Sequence, residues 1–235
     1  MKPVAIFRHS AGEGPGYLAA FLDRHSIPWR LLKIDAGDPV PVDPGEFSGL
    51  AFMGGPMSVN DPLPWIEQVL ALIRNAQTRN IPVIGHCLGG QLMAKAFGAT
   101  VVRNPVKEIG WGEVGVINNQ VARNWFGEMK GFSAFHWHGE TFGLPKEAEA
   151  ILTSPYCKIQ AFALGPHLGM QCHVEMTAAM ITNWCEFGAA EIAACSTASV
   201  QQPKEMLAEM ADCLALLNAV ADRLYTKWAE GLTVH

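Results

Sequence analysis

The first ninety residues alternate between short apolar runs and stretches with helical periodicity, and this alternation limits the fold more than any other feature of the sequence. Four apolar runs have the length and composition of buried strands: "VAIFR" (4–8), "WRLLKID" (29–35), "GLAFMGG" (49–55) and "PVIGHC" (82–87). Between them, residues 16–25 and 64–80 place apolar side chains at helical spacing. Strands that alternate with such helices predict an α/β fold with a mainly parallel, open sheet covered by helices.

The pattern changes twice in the rest of the chain. Residues 107–172 contain shorter apolar runs separated by Gly, Pro and Asn, and we expect a few of these strands to extend the sheet in antiparallel fashion. From about residue 177 the chain is rich in Ala, Met and Leu with an interruption near Pro203, which predicts a helical C-terminal extension over about 177–235. Since no internal repeat or long linker divides the sequence, residues 1–235 are predicted to form a single domain.

Composition excludes several classes of function. The 17 Lys and Arg residues against 22 Asp and Glu residues give a formal net charge of -5, and no basic tract offers a footprint for nucleic acid. Because no apolar segment has the length of a membrane span or a signal-peptide core, we expect a cytoplasmic protein with no membrane partner. The six scattered cysteines contain no C-x-x-C pair, so we predict neither a zinc knuckle nor a disulfide scaffold. We also predict a site with no metal and no cofactor.

One cysteine lies at a turn between an apolar run and a helical pattern, in "GHCLGG" (85–90). Unpaired N–H groups and aligned peptide dipoles at a helix N-terminus favour the thiolate form of a cysteine. A sharp turn also needs small residues close by, and Gly85 and Gly89 lie two positions to either side of Cys87, as in the nucleophile elbow of G-x-S-x-G enzymes. We interpret Cys87 as an enzyme nucleophile; a cysteine that packs beneath a tight turn is the alternative.

A nucleophilic cysteine needs a general base, and "QCHVE" (171–175) offers one. Side chains at i and i+2 of an extended chain point to the same side, so Glu175 can orient the ring of His173 and leave its other nitrogen to face Cys87. Cys172 is then expected to point to the opposite side and pack in the core. A surface ion pair between His173 and Glu175 is the alternative interpretation.

An acyl-transfer site also needs N–H donors for the developing oxyanion. The amide of Leu88, the first helical residue after Cys87, is one candidate. The other is the amide of Gly55 in "GGPMSVND" (54–61), where glycines let the backbone approach a ligand. An ordinary Gly-Pro turn is the alternative for the second segment.

Taken together, these motifs resemble those of the class I glutamine amidotransferases, in particular the stand-alone members similar to the glutaminase domain of GMP synthetase. Four motifs stand in family order: "GGPMSV" (54–59), "GHCLGGQL" (85–92), "HWHGETF" (136–142) and "QCHVE" (171–175). The resemblance covers roughly residues 4–180 and implies the flavodoxin-like fold of that family.

The resemblance also implies a mechanism. Cys87 would attack the side-chain amide carbon of glutamine and release ammonia, after which water would hydrolyse the γ-glutamyl thioester. His173 would transfer the proton, Glu175 would orient His173, and Gly55 and Leu88 would form the oxyanion hole. The substrate-binding positions that the resemblance implies are Met57, Gln91, Trp137, His138 and Gly139.

Three residues depart from the family pattern. His86 stands where an aliphatic residue is more common, Val174 where proline is more common, and Glu140 replaces a frequent aspartate. These departures bear on substrate detail more than on the type of reaction.

Two other classes of function compete with this interpretation. His136 and His138 alternate on a predicted strand, and with His173 and Glu175 they could form the metal cluster of a metallohydrolase, but the elbow cysteine and the glycine loop would then have no role. The second is a non-catalytic regulatory or binding module on the same scaffold. The intact set of cysteine, histidine and glutamate argues against it.

The substrate and the ammonia acceptor stay open at this point. Residues 181–235 are too few for a synthase domain and contain no phosphate-binding loop. Either a separate ammonia-accepting synthase subunit is a partner, or the protein is a free-standing hydrolase of γ-glutamyl compounds. We therefore predict cysteine-dependent hydrolysis of glutamine to glutamate and ammonia, with γ-glutamyl peptide hydrolysis as the alternative.

Overall fold

The computed structural model of the protein describes residues 1–232, and within them nine strands form one sheet and seven α-helices surround it. The strands are β1 Val4–Arg8, β2 Trp29–Lys33, β3 Gly49–Phe52, β4 Val83–His86, β5 Val101–Val116, β6 Gly131–Phe142, β7 Glu149–Thr153, β8 Ala161–Leu164 and β9 His167–Met170. The α-helices are α1 Gly16–Arg24, α2 Pro64–Thr78, α3 Leu88–Ala96, α4 Gln120–Phe126, α5 Ala178–Phe187, α6 Ala189–Ala193 and α7 Pro203–Ala229.

The sheet has a parallel half and an antiparallel half. Its strand order is β2-β1-β3-β4-β9-β8-β7-β5-β6. The pairings from β2 to β9 are parallel, and those from β9 to β6 are antiparallel. The predicted α/β fold with antiparallel extensions is confirmed, and the sheet is mixed because the antiparallel strands contribute as many pairings as the parallel ones.

Two apolar clusters lie on opposite faces of the sheet. Successive side chains of a strand point to opposite faces, and in β1 Val4 and Ile6 join one cluster while Ala5 and Phe7 join the other. The first cluster is completed by α1, α5 and α7, and the second by α2 and α3. Each large apolar side chain buried there contributes about 1.5–3 kcal/mol. The apolar side chains predicted to form a stripe on α1 and on α2 are therefore buried, because each stripe packs against one face of the sheet.

The longest strands of the antiparallel half lie where the sequence predicted only short ones. β5 has 16 residues and β6 has 12, and they pair along most of their length. The register shifts between Arg103 and Glu108, a segment that contains Pro105. Proline has no N–H to donate to a ladder, so the irregularity allows a single strand to continue past it.

The helical C-terminal segment is confirmed over α5, α6 and α7, and the last residues of the predicted range, 233–235, lie outside the described part of the chain. The predicted interruption is the start of α7, where Pro203 occupies a first-turn position that needs no N–H donor. Leu217, Leu224 and Trp228 are buried by this helix. None of the helices in residues 1–232 combines the length and apolar character needed to cross a membrane.

Candidate active site

Cys87 lies at the junction between β4 and α3, at the carboxyl end of a strand in the parallel half of the sheet. Its backbone has φ 50° and ψ -108°, a conformation that costs a non-glycine residue about 1–3 kcal/mol. The Cys87 N–H donates to the Met170 carbonyl at 2.8 Å, and the Cys87 carbonyl accepts from the Gln91 N–H at 3.0 Å. The surrounding elements therefore hold the thiol at the turn, where only 7% of the residue is exposed.

The two glycines beside Cys87 are explained by close backbone contacts. A Cβ added at Gly85 would lie 2.4 Å from the carbonyl carbon of Gly89. A Cβ added at Gly89 would lie 2.0 Å from the carbonyl oxygen of Phe52. Since neither neighbour is a flexible side chain, the sharp turn needs glycine at both positions, as its sequence pattern predicted.

His173 and Glu175 form a buried pair. The Nδ1 atom of His173 lies 2.6 Å from Oε1 of Glu175, and each residue is 1% exposed. The surface ion pair considered as an alternative is therefore excluded. The strand expected to hold both residues ends at Met170, however, and His173 lies in an irregular segment anchored by its N–H, which donates to the Phe135 carbonyl at 2.8 Å. The predicted strand was too long, but the two side chains still point to the same side.

The charges around His173 set its protonation. Burial opposes the charged ring, but the Glu175 carboxylate and the neighbouring Cys87 side chain outweigh it and raise the pKa of His173 well above its usual value. Nε2 of His173 has no hydrogen-bond partner among residues 1–232, although the Cys87 side chain is near enough to help raise the pKa of the ring. Such geometry is common in catalytic pairs without bound substrate. Cys172, by contrast, is fully buried in the first apolar cluster, as predicted.

Glu175 is also connected to the C-terminal helix through His86. Nε2 of His86 lies 3.0 Å from the Tyr225 hydroxyl and 3.9 Å from Oε2 of Glu175, and burial lowers the pKa of His86. The sequence motif shows that His86 replaces a more common aliphatic residue, but it does not indicate which residue the imidazole ring contacts. The partner comes from α7, more than a hundred residues later in the sequence.

Glu175 should make the stability of the protein depend on acidity. Although burial opposes ionisation, the charges of His86 and His173 lower the pKa of Glu175 from 4.5 to about 2. As the pH falls from about 4.5 to about 2, the unfolded chain takes up this proton before the folded one, so the free energy of unfolding decreases. We expect Glu175→Gln to lose less stability than the wild type between pH 6 and pH 3, measured by urea unfolding. Equal losses in both proteins would contradict this assignment.

The two predicted oxyanion donors lie next to each other. A Cβ added at Gly55 would lie 2.7 Å from Cδ2 of Leu88, so the glycine loop after β3 packs directly on the first turn of α3. Within residues 1–232, neither the Gly55 N–H nor the Leu88 N–H donates a hydrogen bond. Two unpaired N–H groups thus lie beside the cysteine turn.

The predicted substrate-binding residues differ in how they relate to Cys87 and to the cavity beside it. The Trp137 carbonyl accepts a weak hydrogen bond from Sγ of Cys87 at 3.8 Å, so Trp137 lies at the cysteine. Nε2 of Gln91 donates to Oε1 of Gln171 at 3.1 Å, and Nε2 of Gln171 lies 3.5 Å from Sγ of Cys87. Gln91 is therefore paired inside the protein and reaches the cysteine through Gln171. Met57 and Gly139 do not line the cavity at Cys87.

His138 belongs to a separate buried cluster with His136 and Glu108. Ligand atoms of these three residues lie within 4.8 Å of one another, the only such group found among residues 1–232, and His173 and Glu175 are not part of it. Oε2 of Glu108 lies 3.0 Å from Nε2 of His138, and its two oxygens accept from Ser154 at 2.8 Å and Gln160 at 2.7 Å. The Glu108 carboxylate is thus satisfied by protein donors without an ion. The four-residue metal cluster considered from the sequence does not form.

A cavity of about 620 Å³ opens at Cys87. Its lining residues come from the loop after β1, the glycine loop after β3, the cysteine turn, β6, the segment after β9 and the α5–α6 segment: Ser10, Ala11, Gly12, Glu13, Gly55, Pro56, Cys87, Trp137, His173, Asn183, Trp184, Phe187, Gly188 and Glu191. Glu13 and Trp184 were missed by the sequence analysis. Nothing in the sequence marked Glu13 except the glycine-rich turn around it, and Trp184 was assigned only to a covering helix.

The fold and the position of the cysteine place the chain among α/β proteins whose ligand site lies at the carboxyl edge of the sheet. The family model described as "Glutamine amidotransferase class-I" matches residues 27–182. The chain belongs to the class I glutamine amidotransferase family.

Individual relatives agree with this assignment. The crystal structure of a glutamine amidotransferase from Methylobacillus flagellatus is 43% identical, with a TM-score of 0.98 over 100% of this chain and 97% of that chain. The glutamine amidotransferase-like protein YfeJ of Salmonella typhimurium is 32% identical over 79% of this chain and 80% of its own length. One subunit of the glutamine-hydrolysing GMP synthase of Thermoplasma acidophilum is 29% identical over 57% of this chain and 68% of its own length. Gamma-glutamyl peptidase 3 of Arabidopsis thaliana is 23% identical over 59% of each chain.

Proposed function

We propose that the protein hydrolyses the side-chain amide of glutamine to glutamate and ammonia, with Cys87, His173 and Glu175 as a catalytic triad. The observation that carries the proposal is the buried His173–Glu175 pair, which adjoins an elbow cysteine in a single cavity. Membership of the class I glutamine amidotransferase family supports the same chemistry.

The proposed reaction has two steps. The Cys87 thiolate attacks the amide carbon and forms a C–S bond, while protonated His173 gives its proton to the nitrogen as the C–N bond breaks and ammonia leaves. Water then attacks the γ-glutamyl thioester, His173 takes a proton from that water, and the C–S bond breaks to release glutamate. Glu175 keeps Nδ1 of His173 protonated and its ring oriented throughout.

Backbone groups are proposed to stabilise the oxyanion of both steps. Gly55 packs against Leu88, and neither of their N–H groups donates a hydrogen bond in the described structure, which suits donors reserved for a developing charge. For the amino-acid end of the substrate, we propose the positions that family resemblance suggests. Trp137 lies in the cavity lining, whereas Met57, Gln91, His138 and Gly139 lie outside it and would need to become accessible to a bound substrate.

The fate of the ammonia divides the proposal into two candidates. Relatives named as subunits of glutamine-hydrolysing GMP synthases support a separate synthase partner that accepts the ammonia. The relative named gamma-glutamyl peptidase, together with the size of the cavity at Cys87, supports a free-standing hydrolase of γ-glutamyl compounds. In either case we infer a cytoplasmic protein of one domain. The cytoplasmic location is supported by the six cysteines, which are all free thiols and therefore suit a reducing compartment.

The proposal is tested by incubating the purified protein with glutamine and, separately, with γ-glutamyl dipeptides. We expect glutamate and ammonia in equal amounts from glutamine, measured by enzyme-coupled assays. Release of an amino acid from the dipeptides at a higher kcat/KM would favour the second candidate. Tight binding of these compounds without any product would instead support a non-catalytic binding module and would overturn the proposal.

A further inference from the structure

The geometry of the cavity points to a substrate larger than glutamine. We infer that the cavity beside Cys87 receives the amine half of a γ-glutamyl amide, and that the Glu13 carboxylate binds a second, cationic group on that amine. This inference rests on the proposed function, because it uses the same cysteine chemistry.

The size of the cavity is the first observation. Cavities of about 300–1,000 Å³ enclose ligands of the size of a drug molecule, and the cavity at Cys87 measures about 620 Å³. When glutamine is the substrate, the leaving group is ammonia, which has one non-hydrogen atom and needs almost none of this volume. The α5–α6 side of the cavity is therefore available to a larger leaving amine.

The second observation is an unpaired carboxylate next to the proposed general base. Within residues 1–232, the Glu13 side chain has neither a hydrogen-bond donor nor an ion-pair partner. A Cβ added at Gly54 would lie 1.9 Å from Oε2 of Glu13 and 3.3 Å from Cε1 of His173, so the carboxylate and the ring flank the same glycine. Burial raises the pKa of Glu13 to about 7. A partly buried carboxylate without a partner is unfavourable, and a bound ammonium group would remove that cost.

The loop that carries Glu13 is held in place by two hydrogen bonds to its backbone. The indole Nε1 of Trp184 donates to the Gly12 carbonyl at 2.9 Å, which ties the loop after β1 to α5. The Glu13 N–H donates to the Ser10 carbonyl at 3.0 Å, which closes a turn within the loop. The backbone that carries Glu13 at the cavity is therefore held by contacts within the protein.

The walls of the cavity also suit a cation. Trp137 and Trp184 meet edge to face with ring centroids 5.9 Å apart, and Phe187 at the rim is 84% exposed. Aromatic faces attract cations through their quadrupoles. The other acidic residue of the lining, Glu191, is already paired with Lys107 and with the indole of Trp137, which leaves Glu13 as the carboxylate that a ligand can use.

The same lining disfavours an anionic leaving group. Among the residues that the structure describes, no Lys or Arg lines the cavity. The amino acid released from a γ-glutamyl peptide carries a carboxylate, which would have no Lys or Arg partner in the lining and would lie close to Glu13. We therefore expect the protein to prefer γ-glutamyl amines to γ-glutamyl peptides as substrates. In the reaction, the C–N bond of the amide breaks, the leaving nitrogen takes its proton from His173, and the second ammonium group is released unchanged.

Three matched substrates test the inference. They are the γ-glutamyl amides of 1,2-diaminoethane, propylamine and 3-aminopropanoate, whose leaving amines end in a cationic, a neutral and an anionic group. For the wild type we expect kcat/KM to be highest for the cationic amide and at least about tenfold lower for the anionic one, since a charge-assisted hydrogen bond is lost. Release of glutamate and of the amine is measured for each amide.

Glu13→Gln is the decisive variant, because it keeps the shape of the side chain and removes its charge. We expect it to reduce the ratio of kcat/KM for the cationic amide to that for the neutral amide by about tenfold, and Glu13→Asp to restore part of the ratio. The matched control is Glu186→Gln, an exposed carboxylate on α5 that does not line the cavity, which should leave the ratio within twofold of the wild type.

The outcomes separate this inference from the proposed function. A ratio that stays unchanged in Glu13→Gln, or a preference of the wild type for the anionic amide, would overturn the inference. Hydrolysis of glutamine without hydrolysis of any of the three amides would also overturn it and leave the proposed function standing. Failure to hydrolyse glutamine and all three amides would remove the proposed function itself.

Discussion

We expect Cys87→Ala to release glutamate from glutamine at least on the order of 10⁴-fold more slowly than the wild type, because removing the nucleophile of a triad leaves only binding and the oxyanion donors. Alanine is smaller than cysteine and adopts the same strained backbone at a similar cost, so the elbow should keep its shape. Single-turnover measurement of glutamate at saturating glutamine gives the rate, and circular dichroism confirms folding.

The matched control for this prediction is Cys195→Ala. Cys195 is a free thiol at intermediate exposure that does not line the cavity, so its removal should leave the rate within twofold of the wild type. A Cys87→Ala variant that retains a tenth or more of the wild-type rate would exclude Cys87 as the nucleophile. The buried pair beside it would then need another role.

The second large effect is expected from Gly89→Ala. Its new methyl group would lie 2.0 Å from the carbonyl oxygen of Phe52, so α3 and β3 must separate. Overpacking of this kind costs on the order of 3 kcal/mol, which for a chain of this size lowers Tm by about 6–12 °C. Since the same displacement moves Cys87, activity should fall by about a hundredfold or more, as for other small misplacements of reacting groups.

Gly115→Ala is the control for that substitution. A Cβ at Gly115 would make only ordinary contacts, with the nearest atom, Cγ2 of Thr153, at 3.7 Å. Its Tm should change by no more than about 2–4 °C. If Gly89→Ala were as stable and as active as Gly115→Ala, the close packing at the elbow would not matter for the site.

The parallel half of the fold was predictable from the sequence because its signals are local. The strands β1, β3 and β4 are continuous apolar runs buried on both faces, and the helices α1 and α2 each have a stripe that faces the sheet. The elbow was predictable for the same reason, since the two glycines and the cysteine lie within five residues. The outline of the antiparallel half was correct, but β5 contains Pro105 and three glycines, and such residues in a sequence predict the ends of strands. In the structure, pairing with β6 allows one long strand to continue through them.

Contacts between distant segments could not be predicted in this way. Glu13 approaches His173 only because the loop after β1 and the segment after β9 meet above Gly54. The contact between His86 and Tyr225 depends on where α7 crosses the sheet. Neither contact leaves a periodic pattern or a short motif, because both are set by tertiary packing.

The strand order of the sheet has a consequence for the newly made chain. β9 is inserted between β4 and β8, so His173 can join Cys87 only after the intervening residues, 88–172, have been translated. At about 5–20 residues per second, the ribosome adds His173 roughly 4–17 s after Cys87, and the α7 tyrosine that contacts His86 follows later still. The thiol is therefore synthesised well before the groups proposed to activate it, and the growing chain cannot assemble the proposed catalytic centre until Glu175 has been added.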